Sequence, residues 1–226
     1  MTSLILLAGG KGTRMYQQTP KQYLLLAGKP VIVHSLERIE QIEEISDVII
    51  VCSKEYINLL KEYISSYGLK KNIIFTDAGN TRQESVYNGL KLVKTKSVII
   101  HEAARPFVKK NEFEKLINHE EENITFGIDI PFTVLKANEY VQEILIRKEL
   151  INVQLPQKFN TNSLLLAHKM AINDQLLFTE DASLLHHYEL GHVKVLKGST
   201  YNLKITEPID LLIGEIIYKE YILGRN

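Results

Sequence analysis

Short apolar runs alternate with longer stretches of helical period along this chain. The runs have the length of strands and are rich in β-branched residues: SLILL (3–7), DVIIVC (47–52), NIIFT (72–76), SVIIH (97–101) and HVKVL (192–196). Amphipathic stretches lie between them, such as PVIVHSLERIEQI from Pro30 and QESVYNGLKLV from Gln83. Strands that are apolar throughout and separated by amphipathic helices are typical of a parallel sheet covered on both faces. The pattern therefore predicts an α/β fold with a mostly parallel sheet.

The second half of the chain is expected to add helices near 161–173, 180–190 and 207–223, the last with Thr206 as its N-cap. The stretch 132–154 departs from this rhythm, because it has strand-like pieces around polar turns and no long helix. A projecting β-arm, of the kind that pairs with a second subunit, would explain it, and so would an ordinary surface excursion. No repeat or flexible linker interrupts the chain, which favours a single domain that spans residues 1–226.

Composition narrows the class of protein. Lys plus Arg and Asp plus Glu balance at 27 each, so a bulk nucleic-acid or membrane-surface binder is not expected. Cys52 is the single cysteine, which excludes an internal disulfide and a cysteine-rich zinc site. The apolar run at the N-terminus is too short to span a membrane and has no basic flank. We expect a cytoplasmic protein.

The first strand runs into a glycine loop, LLAGGKGTRM (6–15). Gly9, Gly10 and Gly12 allow backbone amides to approach a ligand closely, and successive amides form an anion-binding nest. Arg14 and then Lys21, in the segment PKQY, add cations immediately downstream. This combination predicts a phosphate site, although a plain strand-to-loop turn would carry the same glycines.

Two common phosphate motifs do not fit this loop. A Walker A loop requires Lys after its last glycine, whereas Lys11 precedes Gly12. A dinucleotide fingerprint requires a third glycine where Met15 stands and an acid some twenty residues further on, which GKPVIVHS (28–35) lacks. A nicotinamide-dependent oxidoreductase is therefore disfavoured. A nucleotidyltransferase loop that cradles a nucleoside triphosphate fits best.

Further polar segments follow the predicted strands. AGNTRQESVYNGL (78–90) comes after one strand, and HEAARPF (101–107) contains the end of the next, with Glu102 and Arg105 at its carboxyl end. In open α/β sheets that edge binds ligands. His101, His186 and His187 lack metal-ligand spacing with nearby carboxylates and are assigned to packing or to the surface.

Taken together, seven segments resemble the bacterial cytidylyltransferases that act on polyol phosphates. They occur in the family's order over essentially the whole chain: LAGGKGTRM, PKQY, GNTRQESVYNGL, HEAARPF, LPQKF, TEDAS and NLKIT. The resemblance implies a Rossmann-like nucleotidyltransferase domain, a homodimer formed through a β-arm, and Mg²⁺-dependent transfer of CMP from CTP. Known members make diphosphocytidyl-methylerythritol in isoprenoid biosynthesis or CDP-ribitol for teichoic acid and capsule biosynthesis.

The resemblance also implies roles for individual residues. The triphosphate loop would include Ala8, Gly9, Gly10, Gly12 and Arg14, and the base would be read near Ala78, Gly79, Arg82 and Ser85. Arg14, Lys21 and Lys204 would be the catalytic cations. The acceptor side would comprise Glu102, Arg105, Thr133 and the arm residue Arg147, which would reach the acceptor phosphate across the dimer. Glu102 would also hold the metal, directly or through water.

Three positions depart from the family's pattern, and all lie on the acceptor side. Glu102 replaces the usual Asp, Thr133-Val134 replaces an Asp-Thr pair in the arm, and Leu155 replaces the usual Thr before the Pro-Gln pair. TRQESVYNGL and AARP favour 2-C-methyl-D-erythritol 4-phosphate over ribitol 5-phosphate as the acceptor. A capsule or cell-wall enzyme with another polyol phosphate stays open, as does an inactive dimeric CTP-binding regulatory protein.

The implied reaction needs no general base. A phosphate monoester has a second pKa of about 6, so the attacking phosphate oxygen is already ionised near pH 7. The difficulty lies in bringing anions together and stabilising the charge that develops at the α-phosphate. Cations and loop amides supply that stabilisation.

Overall fold

Seven strands form one sheet at the centre of the computed structural model, which describes residues 1–10, 12, 15 and 19–224. In spatial order they are β11 (Lys194–Lys197), β7 (Ile124–Asp129), β10 (Ile151–Asn160), β6 (Ser97–Glu102), β1 (Thr2–Leu7), β4 (Ile45–Cys52) and β5 (Asn72–Asp77). The strands β6, β1, β4 and β5 are mutually parallel, as are β7 and β11, whereas β10 is antiparallel to both of its neighbours. The predicted mostly parallel sheet is confirmed.

Seven helices and several short elements surround this sheet in the described part of the chain. The helices are α1 (Val31–Glu40), α2 (Ile57–Ser66), α3 (Arg82–Leu90), α4 (Lys110–Ile117), α5 (Thr161–Asn173), α6 (Asp181–His187) and α7 (Pro208–Ile217), and the last continues as a π-helical turn, Tyr218–Ile222. Short 3₁₀ turns occupy Lys21–Tyr23, Lys54–Tyr56 and Arg147–Glu149. Two small hairpins pair β2 (Leu25–Leu26) with β3 (Lys29–Pro30) and β8 (Leu135–Ala137) with β9 (Val141–Ile144).

The sheet is buried on both faces because the central strands β1, β4 and β6 each contain a continuous apolar stretch. Leu4 and Leu6 of β1 pack into a core that includes residues of α1, α2 and α4, whereas Ile5 packs into the opposite core with α3, α5 and α6. Successive side chains of a strand point to opposite faces, so a continuous apolar run is what two covered faces require. A third apolar cluster, around Phe107 and Ile205, packs against α7.

Several boundaries differ from the sequence prediction. Strands β7 and β10 were not predicted, because polar residues and a proline interrupt their apolar runs. The N-cap of α7 is Glu207 rather than Thr206, since the Glu207 carboxylate and Asp210 form a reciprocal capping box in the first turn. Helix α6 ends at His187, earlier than predicted.

The stretch 132–154 contains an exposed hairpin. Strands β8 and β9 form it, and a salt bridge of 3.1 Å joins Lys136 to Glu143 across the two strands. The predicted arm is too long at its C-terminal end, because Ile151 already pairs with Asp129 of β7 in the central sheet. Among the described residues, no helix combines the length and the apolar character needed to cross a membrane.

Candidate active site

A cavity of about 560 Å³ opens at the carboxyl edge of the parallel strands. Its walls come from the segments that follow β1, β4 and β5, from the end of β6, and from Lys204 in the segment before α7. The edge where parallel strands end is the general ligand site of open α/β sheets. The fold therefore brings together residues as far apart in the chain as Gly9 and Lys204, which are separated by 195 positions.

Two glycine-containing loops meet on one wall of this cavity. The backbone amides of Ala8 and Ala78 donate to Val51 O and Cys52 O, at 2.8 and 3.0 Å, which anchors both loops to the end of β4. A Cβ at Gly9 would overlap the Cβ of Ala78, so only glycine allows this close approach of the two loops. Gly12 has a φ of +63°, a conformation that other residues rarely adopt.

Gln22 fixes the first glycine loop from behind. Its buried side-chain Nε2 donates to the carbonyl oxygens of Ala8 (2.6 Å) and Gly10 (3.1 Å). Its neighbour Lys21 lines the cavity and is buried, with its backbone and side chain against Gly12. Sequence reasoning assigned no role to Gln22, although its place next to Lys21 in the PKQY segment was an available signal.

The second loop is fixed by the start of α3. Thr81 caps this helix, with its Oγ1 accepting from Glu84 N at 3.1 Å. Ser85 Oγ accepts from Gly79 N at 3.0 Å and donates to Thr81 O at 2.9 Å, and Glu84 Oε2 accepts from Asn80 N. The loop is therefore held in one shape by its own side chains.

Glu102 lines the same cavity and lies at the centre of a charge cluster. Its carboxylate is 2.8 Å from Lys204 Nζ, 3.4 Å from Arg105 Nε and 3.6 Å from Arg82 Nε. Burial, the largest single influence, would raise the pKa of Glu102, but the charges of Lys204, Arg105 and Arg82 outweigh it and lower the pKa to about 2. Glu102 is therefore ionised near pH 7.

The cations of this cluster are positioned by the backbone. Arg105 Nη1 donates to Asn202 O at 3.0 Å, and Asn202 Nδ2 donates to Leu155 O at 2.6 Å. Ile205 N donates to Ala104 O, which brings the NLKIT segment, with Lys204, beside the end of β6. Burial lowers the pKa of Arg105, although Glu102 opposes this effect.

Arg82 is held between two carboxylates. Besides Glu102, its Nη2 contacts Asp181 Oδ2 of α6 at 2.6 Å. Burial would lower the pKa of Arg82, but the charge of Asp181 and the hydrogen bond to it raise the pKa above its ordinary value. The TEDAS segment is part of the resemblance seen in the sequence, but the sequence predicts no role for Asp181, because nothing in the chain order shows that it faces Arg82.

The structure brings most of the expected site residues to one place. Those that line the cavity are Gly9, Gly10, Lys21, Ala78, Gly79, Arg82, Ser85, Glu102 and Lys204. Ala8 is buried at the end of β1, Gly12 borders Lys21, and Arg105 contacts Glu102. Thr133 and Arg147 lie on the exposed arm and do not line the cavity, and Arg14 lies outside the described residues.

His101 lies next to Glu102 but faces the other side of the sheet. It is fully buried with its ring edge against Phe113, at 5.2 Å between centroids. Burial, with a smaller contribution from Arg105, lowers the pKa of His101 to about 3, so the imidazole is neutral near pH 7. This geometry agrees with a packing role.

The donor set of the cavity fits a magnesium ion bound together with a nucleotide. Mg²⁺ is usually held by one or two carboxylates together with substrate phosphates rather than by an all-protein cage. Glu102 offers one ionised carboxylate, and the described residues contain no group of three or more His, Cys, Asp or Glu that could hold a metal by themselves. Any bound Mg²⁺ would therefore depend on the phosphates of a ligand.

An α/β sheet whose carboxyl edge carries two glycine-containing loops, several cations and one carboxylate defines a nucleotide-binding enzyme. The comparisons with known proteins agree. A family model described as 2-C-methyl-D-erythritol 4-phosphate cytidylyltransferase matches residues 2–220. The chain belongs to this family, which confirms the resemblance seen in the sequence, and it is a CTP-dependent nucleotidyltransferase.

Individual relatives support the same assignment. The chain is 37% identical to the 2-C-methyl-D-erythritol 4-phosphate cytidylyltransferase of Halalkalibacterium halodurans, over 96% of this chain and 97% of the relative. It is 39% identical to the enzyme of the same name from Bacillus cytotoxicus, over 95% and 96% of the two chains. The crystal structure of 4-diphosphocytidyl-2C-methyl-D-erythritol synthase from Anaerococcus prevotii has the same fold, with a TM-score of 0.85 at 24% identity, over 99% of this chain and 96% of that one.

Proposed function

We propose that this protein transfers CMP from CTP to 2-C-methyl-D-erythritol 4-phosphate, releasing pyrophosphate, as a step of isoprenoid biosynthesis. The observation that carries the proposal is the convergence of two glycine-containing loops with Lys21, Arg82, Glu102 and Lys204 on one cavity. Relatives that are similar over nearly their whole length carry this activity in their names. Ribitol 5-phosphate and an inactive CTP-binding protein are the less favoured alternatives.

In this proposal the two loops divide CTP between them. The loop of Gly9 and Gly10, with Lys21 beside it, binds the triphosphate through backbone amides and the ammonium charge. The loop of Ala78 and Gly79, held in shape by Ser85, contacts the cytosine, where fixed backbone groups can read the edge of a base. Arg14 would add a further charge at the triphosphate.

The reaction is a displacement at the α-phosphorus of CTP. A phosphate oxygen of the acceptor forms a bond to that phosphorus, the bond to the bridging oxygen of the β-phosphate breaks, and pyrophosphate leaves with the electron pair. The acceptor phosphate is mostly ionised near pH 7, so no side chain has to remove a proton. Lys21 and Lys204 stabilise the charge that develops on the α-phosphate and on the leaving group, and preorganised charges of this kind are a large part of enzymatic rate enhancement.

Glu102 has two tasks in this scheme. It would hold Mg²⁺ together with the CTP phosphates, and the ion would neutralise part of the phosphate charge. Its carboxylate also keeps Lys204 and Arg105 in place at 2.8 and 3.4 Å. The change from the family's usual Asp to Glu102 is compatible with both tasks, because the carboxylate lines the cavity and is ionised.

The exposed arm supports a homodimer as the working form. Phe132, Tyr140 and Ile144 expose 76%, 74% and 84% of their surface on this arm, an apolar surface that a second copy would cover. Arg147 and Thr133 do not line the cavity of their own chain. In the proposed dimer they complete the acceptor site of the partner.

Complementation between two impaired variants tests this arrangement. Arg147→Ala and Lys21→Met chains, each expected to have no more than about a tenth of the wild-type rate when the acceptor is well below its KM, are mixed, dissociated, reassembled and assayed at that acceptor concentration. A mixed dimer then contains one site with an intact cavity and an intact partner arm, so activity returns toward one quarter of the wild-type level. If mixed dimers form but the activity does not rise, the arm does not act across the dimer.

The activity itself is tested by pyrophosphate release with CTP and Mg²⁺. The acceptor panel contains 2-C-methyl-D-erythritol 4-phosphate, ribitol 5-phosphate, erythritol 4-phosphate and glycerol 3-phosphate, with ATP, GTP and UTP as nucleotide controls. We expect release with CTP and the methylerythritol phosphate. Release only with ribitol 5-phosphate would change the acceptor, and CTP binding without release for any acceptor would favour the inactive binding protein.

A further inference from the structure

A line of buried polar contacts leads from α5 to the wall of the cavity. His168 of α5 is fully buried, and its Nε2 lies 3.2 Å from Asp181 Oδ1. Asp181 is 1% exposed, and its other oxygen, Oδ2, accepts a hydrogen bond of 2.6 Å from Arg82 Nη2. Arg82 lines the cavity. His168 and Asp181 therefore stand behind Arg82.

The direction of the hydrogen bonds follows from the charge on Asp181. Burial is the largest influence and would raise the pKa of Asp181, but the charge of Arg82 and the hydrogen bond from His168 together hold it well below its ordinary range. An ionised carboxylate only accepts hydrogen bonds, so the proton lies on His168 Nε2. One carboxylate oxygen is thus engaged by His168 and the other by Arg82.

Asp181 cannot easily move with Arg82, because the start of α6 is fastened to the sheet. The Glu180 carboxylate caps α6 by accepting from Ala182 N (2.9 Å) and Ser183 N (2.8 Å). Gln157 of β10 donates its Nε2 to the same carboxylate and also to Thr125 Oγ1 of β7. The LPQKF and TEDAS segments therefore act together in placing Asp181.

Arg82 also forms a second, longer ion pair, which makes this fastening necessary. Its Nε lies 3.6 Å from Glu102, the carboxylate of the acceptor side. A guanidinium has five N–H donors on a long flexible stem and forms its strongest pairs in a fixed plane. If the hold of Asp181 weakened, the arginine would be free to turn toward Glu102 and away from the loop of Gly79.

We propose that His168 and Asp181 are positioning residues that hold the Arg82 guanidinium on the nucleotide side of the cavity, and that His168 acts on CTP affinity only through Arg82. This inference rests on the proposed function, because it takes CTP to be the ligand of the cavity. His168 keeps Asp181 oriented, and Asp181 keeps Arg82 from closing fully onto Glu102, with which it forms the longer ion pair of 3.6 Å. Neither residue touches the nucleotide.

A double-mutant cycle tests this inference by calorimetric titration of CTP in the presence of Mg²⁺. His168→Phe keeps the ring beside Tyr87 but removes the donor, whereas His168→Gln places an amide N–H near the position of Nε2. We expect His168→Phe to weaken CTP binding about tenfold, the loss of one hydrogen bond to a charged group, and His168→Gln to recover most of it. In an Arg82→Gln background, His168→Phe should have no further effect on CTP affinity.

A second buried histidine provides the matched control. His34 is 2% exposed, its Nε2 donates to Leu26 O at 2.8 Å, and it lies on α1, in contact with neither Arg82 nor Asp181. His34→Phe should lower stability to a similar extent without changing CTP affinity. An equal loss of CTP affinity in His34→Phe, or an undiminished effect of His168→Phe in the Arg82→Gln background, would show that the role of His168 is only structural.

Two further measurements keep the result of this cycle interpretable. If His168→Phe does not fold, Asp181→Asn replaces it in the cycle, and its effect must likewise disappear when Arg82 is Gln. The wild-type titration separates the two proposals. A wild-type chain that does not bind CTP refutes the proposed function. If the wild type binds CTP and the effects of His168→Phe and Arg82→Gln on CTP affinity simply add, only the proposal that His168 and Asp181 position Arg82 is refuted.

Discussion

Replacing Glu102 by Gln removes the one negative charge that faces Lys204, Arg105 and Arg82 together. The substitution keeps the shape of the side chain, so the change in stability reports the charge. In the folded protein these three cations lower the pKa of Glu102 from its ordinary 4.5 to about 2. At about 1.4 kcal/mol for each pKa unit, the folded state gains about 3 kcal/mol from ionising Glu102.

This stabilisation depends on pH in a defined direction. Because the pKa of Glu102 is lower in the folded state, the stabilisation is complete above pH 4.5 and is lost as the pH falls through about 2. The free energy of unfolding of the wild type should exceed that of Glu102→Gln by about 3 kcal/mol above pH 5 and by roughly half of that near pH 3. Asp181 titrates in both proteins, so its contribution cancels in the difference.

Urea denaturation followed by circular dichroism at several pH values between 3 and 7 measures this difference. Glu114→Gln is the matched control, because it breaks the exposed pair with Lys110 on α4 and should change the free energy of unfolding by less than about 1 kcal/mol. A difference between wild type and Glu102→Gln that does not change with pH would refute the reasoning. The reasoning would also be refuted if, at pH 7, Glu102→Gln changed the free energy of unfolding no more than the control Glu114→Gln does.

Three further predictions concern the loops and the arm. Lys21→Met should lower kcat at least about 100-fold in the pyrophosphate assay while the unfolding midpoint stays close to that of the wild type, since one preorganised charge is lost; near-normal turnover would contradict its catalytic role. Gly9→Ala should lower the free energy of unfolding by about 1–3 kcal/mol, because its Cβ overlaps the neighbouring loop, whereas Gly10→Ala, with no atom within 4 Å, should be close to neutral. Equal effects of the two would mean that the loops can separate freely. Arg147→Ala should raise the KM for the acceptor about tenfold and leave the KM for CTP unchanged, with the adjacent Lys148→Ala as control; a change in the KM for CTP alone would contradict its acceptor role.

Much of the fold follows from local patterns in the sequence. The strands β1, β4, β5 and β6 each contain a continuous apolar run, and such runs between amphipathic helices predict a covered parallel sheet. Strand β10 is not predicted because polar residues and Pro156 interrupt its apolar positions, and these polar residues are buried only after the strand inserts between β6 and β7. Its polar members, such as Gln157, pair with other elements, and local periodicity carries no information about such pairs.

The candidate site likewise has features that the sequence predicts and features that arise only on folding. Glycine loops and nearby cations can be read from short segments, because backbone freedom and charge are local properties. The cytoplasmic location and the single domain stay predictions from the sequence. The family, and with it the enzyme class, could be recognised from seven segments in a fixed order.

Only the tertiary structure decided how these segments act on one another. It placed Asp181 and His168 behind Arg82, set Gln22 beneath the carbonyls of Ala8 and Gly10, and surrounded Glu102 with three cations. One of these contacts, from Glu102 to Lys204, joins residues that are 102 positions apart. A sequence specifies each side chain and its local conformation, whereas burial, pairing and pKa arise from neighbours that only folding brings within reach.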